Sequence, residues 1–267
     1  MLPAAWDWRA PGPHARMPAL GTTNVCSRVL NQRGIETYCG ACWVFAAVSA
    51  LCDRMEIQRR AQGAAHGPPV VLSVQALLNC APPSAGSCEA GGFARGAYEY
   101  MRDVGLPSES CAEYVGKRQA CTPLNTCKTC VKPPDGTGGS AAACTAVQAP
   151  RLYRVSSFSV MPGRSSAEAI MREVYAHGPV VACVNGEPLE RCYAPHGGAI
   201  FTDEAASQVT DHVVCIIGWG EEAGVPFWWI RNSWGDMWGE GGFGRVLRGR
   251  NCLGIETFIT HATPAAA

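Results

Sequence analysis

The segment Cys39-Gly40-Ala41-Cys42-Trp43 sets two thiols at Cys-x-x-Cys spacing at the head of an apolar run. If that run is helical, a thiol in its first turn faces the positive end of the helix dipole, which favours the thiolate. The same spacing also suits a redox pair or two structural cysteines, and alone it does not decide between them. Far downstream, Asp211-His212-Val213-Val214 puts an imidazole at the start of a second apolar run. Imidazole titrates near neutrality and can act as acid or base, though a lone His in such a place is more often a satisfied core residue than a base. Arg231-Asn232-Ser233-Trp234-Gly235 follows the apolar Phe227-Trp228-Trp229-Ile230. By itself, Asn before Trp-Gly is ordinary turn chemistry. Gln32 lies upstream of the cysteine pair in an irregular stretch and is individually uninformative. A thiol, an imidazole and two carboxamides together are a much rarer set, and the chemistry open to them is nucleophilic catalysis.

Those residues need elements to position them. Residues 1–38 read as irregular, punctuated by Pro, Gly and Asn. From Cys42 to about Arg60 the chain is apolar on most faces at first and polar later, which predicts a helix running from the interior to the surface. Ser73-Val74-Gln75-Ala76-Leu77-Leu78 predicts a shorter helix with Ser73 as N-cap. Phe93–Asp103 predicts a third, ended by Gly105 and Pro107. After about residue 150 the texture turns to strand residues, at Leu152–Val160, Val180–Val184, Asp211–Trp219 and Pro226–Asn232. Ala167–Ala176 has helical spacing. No fixed-period repeat is present. A helical first half and a mostly β second half make an α+β protein.

Composition narrows the classes. The 267 residues are 47% hydrophobic and 16% charged, the reverse of a disordered chain. Lys+Arg and Asp+Glu are 22 each, so nothing draws the chain to nucleic acid or an anionic membrane. The longest apolar stretch, Ala41–Cys52, is too short to span a bilayer, and Met1–Trp8 does not read as a signal peptide. The 15 cysteines point to an oxidising compartment, and hence to a processed form. Their odd number leaves at least one thiol unpaired. Five of them, Cys111, Cys121, Cys127, Cys130 and Cys144, fall among Pro, Gly, Thr and Ser in residues 106–150, a loop that needs cross-links. Cys127-x-x-Cys130 has zinc-pair spacing, but no second ligand pair or His accompanies it, so disulfides are favoured over metal.

Taken in order, Gln32, Cys39-Gly40-Ala41-Cys42-Trp43, His212 and Asn232-Ser233-Trp234-Gly235 resemble the signature of the papain-like cysteine peptidases. The resemblance extends to Leu2-Pro3-Ala4-Ala5-Trp6-Asp7-Trp8-Arg9, to Leu72-Ser73-Val74-Gln75 and to Asn232 through Phe243, nearly the whole chain. It implies one domain in two lobes with a cleft between them. The left lobe, about 11–145, would be helical and disulfide-rich. The right lobe, about 146–255 with the N-terminal strand, would be β-barrel-like. It implies Cys42 as nucleophile, His212 as its acid/base partner, Asn232 orienting the imidazole under the shield of Trp234, and Gln32 donating to the oxyanion. Gly91 and Gly92 would line the cleft through their backbone, and Phe258 would close the S2 pocket. Peptide or protein substrates, a propeptide, a monomer, a lysosomal, vacuolar or secreted location and no cofactor go with it. It also implies the disulfides Cys39–Cys88, Cys80–Cys121, Cys111–Cys127 and Cys130–Cys144. Cys42 stays free, Cys52 and Cys215 read as buried thiols, and Cys183–Cys252 is a candidate late bridge. Cys26 and Cys192 have no assigned partner.

The family's usual link between the Gln and the nucleophile is short. Here Arg33-Gly34-Ile35-Glu36-Thr37-Tyr38 lengthens it. That resembles a carboxypeptidase branch of the family, whose loop sets a His just after the Gln, against the substrate's C-terminal carboxylate. Arg33 stands in that place. Its fork is bidentate and always charged, so Arg33 is expected to bind the terminal carboxylate, with Glu36 as a rival partner. The alternatives are an endopeptidase, an aminopeptidase-type exopeptidase and, against the intact set of four, an inactive binding homologue.

Overall fold

The computed structural model describes residues 1–14, 17–33, 38–63, 68–131, 143–191, 198–205 and 207–266. The strands in chain order are β1 (Trp6–Asp7), β2 (Gly86–Ser87), β3 (Gly91–Gly92), β4 (Lys128–Val131), β5 (Ala143–Ala146), β6 (Val155–Val160), β7 (Val180–Val184), β8 (Ile200–Phe201), β9 (His212–Glu222), β10 (Val225–Arg231), β11 (Phe243–Leu247) and β12 (Ile259–Pro264). The helices are α1 (Cys42–Ala61), α2 (Val74–Cys80), α3 (Ala94–Asp103), α4 (Pro123–Thr126), α5 (Ala167–His177) and α6 (Glu187–Arg191).

Helix α1 is buried along most of its length, from Cys42 to Ile57, and is only half-buried in its last turn. Its first three turns, Cys42–Cys52, are apolar on nearly every face, which requires a central position, and α1 packs against both α3 and β9. Ser73 caps α2 by accepting the Ala76 N–H at 3.0 Å. Ser166 caps α5 in the same way, through Ala169.

The main sheet has eight strands in the order β6-β12-β7-β9-β10-β11-β8, with β1 added to β9. Every pairing is antiparallel except β11 with β8. Among the described residues no ladder joins β8 back to β6, so the sheet is not a closed barrel. The expected end of the β half at about 255 is too early. β12 lies beyond it and is an interior strand, held between β6 and β7. Its alternation is interrupted by Thr260, His261 and Thr263, which hides it from a periodicity reading.

Residues 106–150 are more ordered than a plain loop. They contain α4 and the β4–β5 hairpin, whose opposed Cys130 and Cys144 are disulfide-bonded. The tip, 132–142, lies outside the described residues. Cys39–Cys88, Cys80–Cys121 and Cys111–Cys127 are the other disulfides.

Two apolar clusters carry the fold. One gathers α1, α2 and α3 with inward residues of the sheet such as Val181, Val213 and Ile217. The other lies on the opposite face, under α5, with Val180, Val214, Ile216 and Trp228. Alternation along β7 and β9 sends neighbouring side chains to different clusters. Between the clusters run buried polar ties. Asp53 of α1 and Arg231 of β10 bring Oδ2 and Nη2 to 2.8 Å, without hydrogen-bond alignment, while Arg231 Nη1 donates to Ser27 and Asp53. Arg54 donates to the carbonyls of Pro179, Gly178 and Ala262 and pairs with Glu173.

Candidate active site

Cys42 opens α1, and the turn before it is fastened sideways. The Cys39–Cys88 disulfide ties it to the β2–β3 hairpin, and the Gly40 N–H donates to the Cys88 carbonyl at 2.7 Å. Gly92 admits no side chain, because a Cβ there would meet the Ala85 carbonyl and the Trp43 ring. Gly91 has φ +67°. That backbone therefore lies close to the start of α1.

His212 opens β9. Asp211 Oδ1 accepts the Gly186 N–H at 2.7 Å and anchors the strand's start. His212 Nε2 is 2.8 Å from Asn232 Oδ1. The Ser233 backbone N–H donates to the same Oδ1 at 2.8 Å, and a backbone N–H can only donate. Oδ1 is thus an acceptor, so Nε2 carries the hydrogen. In the neutral ring that leaves the lone pair on Nδ1, the nitrogen free for a thiol proton. Trp234 stacks on His212, with centroids 4.5 Å apart and planes 24° apart. Trp238 meets Trp234 edge-on at 5.7 Å. Trp234 is 7% exposed, so the imidazole face beneath it is dry.

Cys42 and His212 line one cavity of about 340 Å³, together with Gly91, Gly92, Cys183 and Val213. Burial pushes the Cys42 thiol up to about 11, against the backbone N–H groups of Val213, Trp43 and Cys42 itself, which favour the thiolate. Burial pushes the His212 imidazole down to about 4, against Asn232 and Asp211, which favour the cation. Each group taken singly is neutral at pH 7. Both line the same cavity, and a proton passed from sulfur to Nδ1 would create two opposite charges there, each offsetting part of the other's desolvation.

Gln32 is 1% exposed and tied to the same turn as Asn232. Its N–H donates to the Ser233 carbonyl at 2.8 Å, and its Oε1 accepts from Ser233 Oγ at 2.6 Å. Its Nε2 makes only a long 3.4 Å contact to the Cys39 carbonyl, at the weak limit of a hydrogen bond, so this donor is cheap to redirect toward the cleft.

Arg33 lies flat on the outer side of this cluster. Its Cζ is 4.3 Å from the Trp234 ring centroid, and its Nη2 is 2.7 Å from Glu190 Oε1 on α6. Glu36, the expected rival partner, lies outside the described residues.

Neither Phe258 nor Arg33 is among the residues lining this cavity; Phe258 is 48% exposed, and its carbonyl accepts the Cys183 N–H at 3.2 Å. The wall position belongs to Cys183, which strand alternation sends to the cleft side. Cys183 and Cys252 are not bridged, because they face opposite clusters: the Cys252 thiol donates to the Asp203 carbonyl at 3.4 Å. Cys26, Cys52 and Cys215 are also free, and Cys192 lies outside the described residues. Among the described residues no group of three His, Cys, Asp or Glu side chains could hold a metal ion.

Sequence reasoning missed Glu190 and Cys183. Glu190 belongs to no motif, and Cys183 sits in a strand apolar on both faces, where composition cannot say which face meets the cleft.

Comparisons with known proteins agree with this geometry. A family model described as papain family cysteine protease matches residues 2–263. A protein named cathepsin Z from Onchocerca volvulus is 36% identical over 248 residues, 92% of this chain and 70% of the relative. A cysteine protease from Blomia tropicalis is 31% identical over 98% of this chain and 66% of its own length. Among solved structures, one from work on antibody cross-reactivity between the mite allergens Blo t 1 and Der p 1 superposes with a TM-score of 0.72 at 29% identity, over 98% of this chain and 71% of that one.

Proposed function

The chain belongs to the papain family of cysteine proteases, and from that premise we propose that it is a carboxypeptidase of the cathepsin X (cathepsin Z) kind, with Cys42, His212, Asn232 and Gln32 as its catalytic set. The observation that carries the catalytic assignment is the tautomer. Asn232 Oδ1 fixes hydrogen on Nε2 and leaves Nδ1 as base in the cavity shared with Cys42.

In this reading the Cys42 proton passes to His212 Nδ1, and the thiolate sulfur attacks the scissile carbonyl carbon. The carbonyl π pair moves to oxygen, where the Cys42 N–H and the Gln32 amide receive it. The oxyanion collapses, the C–N bond breaks, and the leaving amine takes the proton from His212. Water then attacks the thioester, gives its proton to His212, and the thiol is restored as the acid product leaves.

Arg33 supports the exopeptidase part. It is a cation stacked on Trp234, one ring away from His212, and in this reading it receives the carboxylate of the leaving C-terminal residue. A lysosomal, vacuolar or secreted setting is in keeping with the four disulfides. The test is mass spectrometry of one peptide offered as free acid and as C-terminal amide. Loss of one residue at a time from the free acid only, with the preference erased in Arg33→Ala, is expected. Equal cleavage of both forms refutes the carboxypeptidase reading. Labelling by a thiol-reactive peptidyl epoxide that survives Cys42→Ala refutes the nucleophile.

A further inference from the structure

Arg33 is already holding a carboxylate. Glu190 Oε1 sits 2.7 Å from Nη2, and the guanidinium rests on Trp234. The placement matters because Nη2 belongs to both bidentate edges of a guanidinium, the edge it forms with Nε and the edge it forms with Nη1. Nη2 carries one N–H along each edge, so Glu190 Oε1 takes the donor of one edge and sets its charge beside the other, where a second carboxylate would have to seat. An incoming carboxylate would also meet the negative charge of Glu190 beside its target.

The pair is weak enough to break. Both side chains are partly exposed, 37% for Arg33 and 54% for Glu190, and exposed ion pairs contribute little and are screened by salt. Glu190 has a mobile alternative in solvent, whereas Arg33 has a platform that does not depend on Glu190, the face of Trp234. Trp234 is in turn fixed edge-on by Trp238, whose indole N–H donates to the Leu189 carbonyl on the same short helix as Glu190. Helix α6 thus holds the platform through its backbone and the cation through its side chain.

We propose that Glu190 is an internal stand-in for the substrate's terminal carboxylate: it occupies Arg33 in the free enzyme and is displaced when a free C-terminus docks. This rests on the carboxypeptidase reading, and it adds a residue that works against the substrate. Glu190 makes free-acid peptides bind more weakly than Arg33 alone would allow, and it has no such effect on amidated peptides.

The experiment is steady-state kinetics on one peptide as free acid and as C-terminal amide, with the parent enzyme, Glu190→Gln, Arg33→Ala and the double variant. Glu190→Gln is expected to lower KM for the free acid by roughly 1.4- to 5-fold, the range open to an exposed ion pair, with kcat and the amide KM unchanged. In the Arg33→Ala background the same substitution is expected to do nothing. A free-acid KM that stays the same or rises in Glu190→Gln overturns the inference, since Glu190 would then be a bystander or a support for Arg33. If Arg33→Ala keeps the full free-acid preference, it is the underlying reading of Arg33 that fails. If Arg33→Ala erases that preference while Glu190→Gln changes nothing, the reading stands and only the stand-in falls.

Discussion

Replacing Asp53 with alanine removes one half of a buried ion pair that joins α1 to β10. Asp53 is fully buried and Arg231 is 3% exposed, with Oδ2 and Nη2 2.8 Å apart. At that separation the Coulomb attraction is roughly 6 kcal/mol for an effective dielectric of 20. Taking both ions out of water costs several kcal/mol each, so the intact pair contributes little net stability. The direction of the Asp53 carboxyl agrees with this balance: burial raises it above its usual range, and Arg231 pulls it back. The single variant is different, because it strands a buried guanidinium and takes the acceptor from the Ser27 N–H, which now bonds Oδ1 at 2.6 Å. Asp53→Ala should therefore cost about 3–5 kcal/mol, or roughly 6–20 °C in Tm for a domain of this size. Asp53→Leu/Arg231→Met, which removes both charges at similar volume, should lie within about 2 kcal/mol of the parent. Urea unfolding is the assay, with every variant made on Cys42→Ala so that autolysis does not intrude. In the active enzyme Asp53→Ala should lower kcat more than it raises KM, because Arg231 immediately precedes Asn232. A single variant that costs less than about 1 kcal/mol, or a double variant as unstable as the single, would refute the argument from an unpaired charge.

Two further perturbations probe the imidazole. Burial holds His212 near 4 in the folded protein, below its ordinary 6.5, so the unfolded chain binds the extra proton first. The stability due to neutral His212 is then complete above pH 6.5 and is lost as pH falls from 6.5 toward 4. That loss is roughly 3 kcal/mol. His212→Asn on Cys42→Ala should flatten the fall of the urea midpoint across that window, and identical slopes in the two proteins would contradict the assignment. Trp234→Ala removes both the stack on His212 and the seat of Arg33. It should lower kcat by up to about 100-fold through misplacement of the ring and, on the proposed carboxypeptidase reading, weaken the free-acid preference as well, whereas Trp234→Phe should retain most of both. Kinetics on the free-acid and amide peptides separate the two effects, and loss of kcat with preference intact would mean that Trp234 does not seat Arg33.

The parts of this molecule that could be read in the sequence are those in which one residue type has one physical use. Ser73 before an apolar stretch is an N-cap, and it caps α2. An apolar run that turns polar near Arg59 and Arg60 is a helix leaving the core, and α1 ends at Ala61. Cys42, His212 and Asn232 stand out because their types and order are rare together; Cys42 and His212 line one cavity, and Asn232 holds the imidazole. What stayed hidden depends on facing. Val180 to Val184 is buried on both sides, so nothing in its composition tells that Cys183 looks into the cleft while Ala182 looks away. Glu190 is one of many surface acids, and only the fold brings α6 opposite Arg33. Thr260, His261 and Thr263 dilute the apolar pattern of β12 and hide it from periodicity, although its neighbours on both sides bury it.

The geometry of the cleft follows from what else α1 carries. The helix that presents Cys42 also offers the Ala46 carbonyl to the Cys215 thiol at 3.2 Å, and it bears Asp53 and Arg54, which grip β10, β12 and the segment before β7. At 1.5 Å per residue these ties are spread over about 12 Å of helix axis. A rigid rod held at one end and along its length against a sheet cannot tilt without breaking several of them, and so the sulfur at its tip stays in register with β9, whose first residue is His212. Apolar packing alone would let the two halves slide, because it is not directional. The directional ties are polar and buried, each with a partner whose loss is expensive, and they lie well away from the chemistry. Substitutions at Asp53 or Arg54 should therefore be felt at Cys42 as lost alignment, even though neither residue faces the cleft cavity.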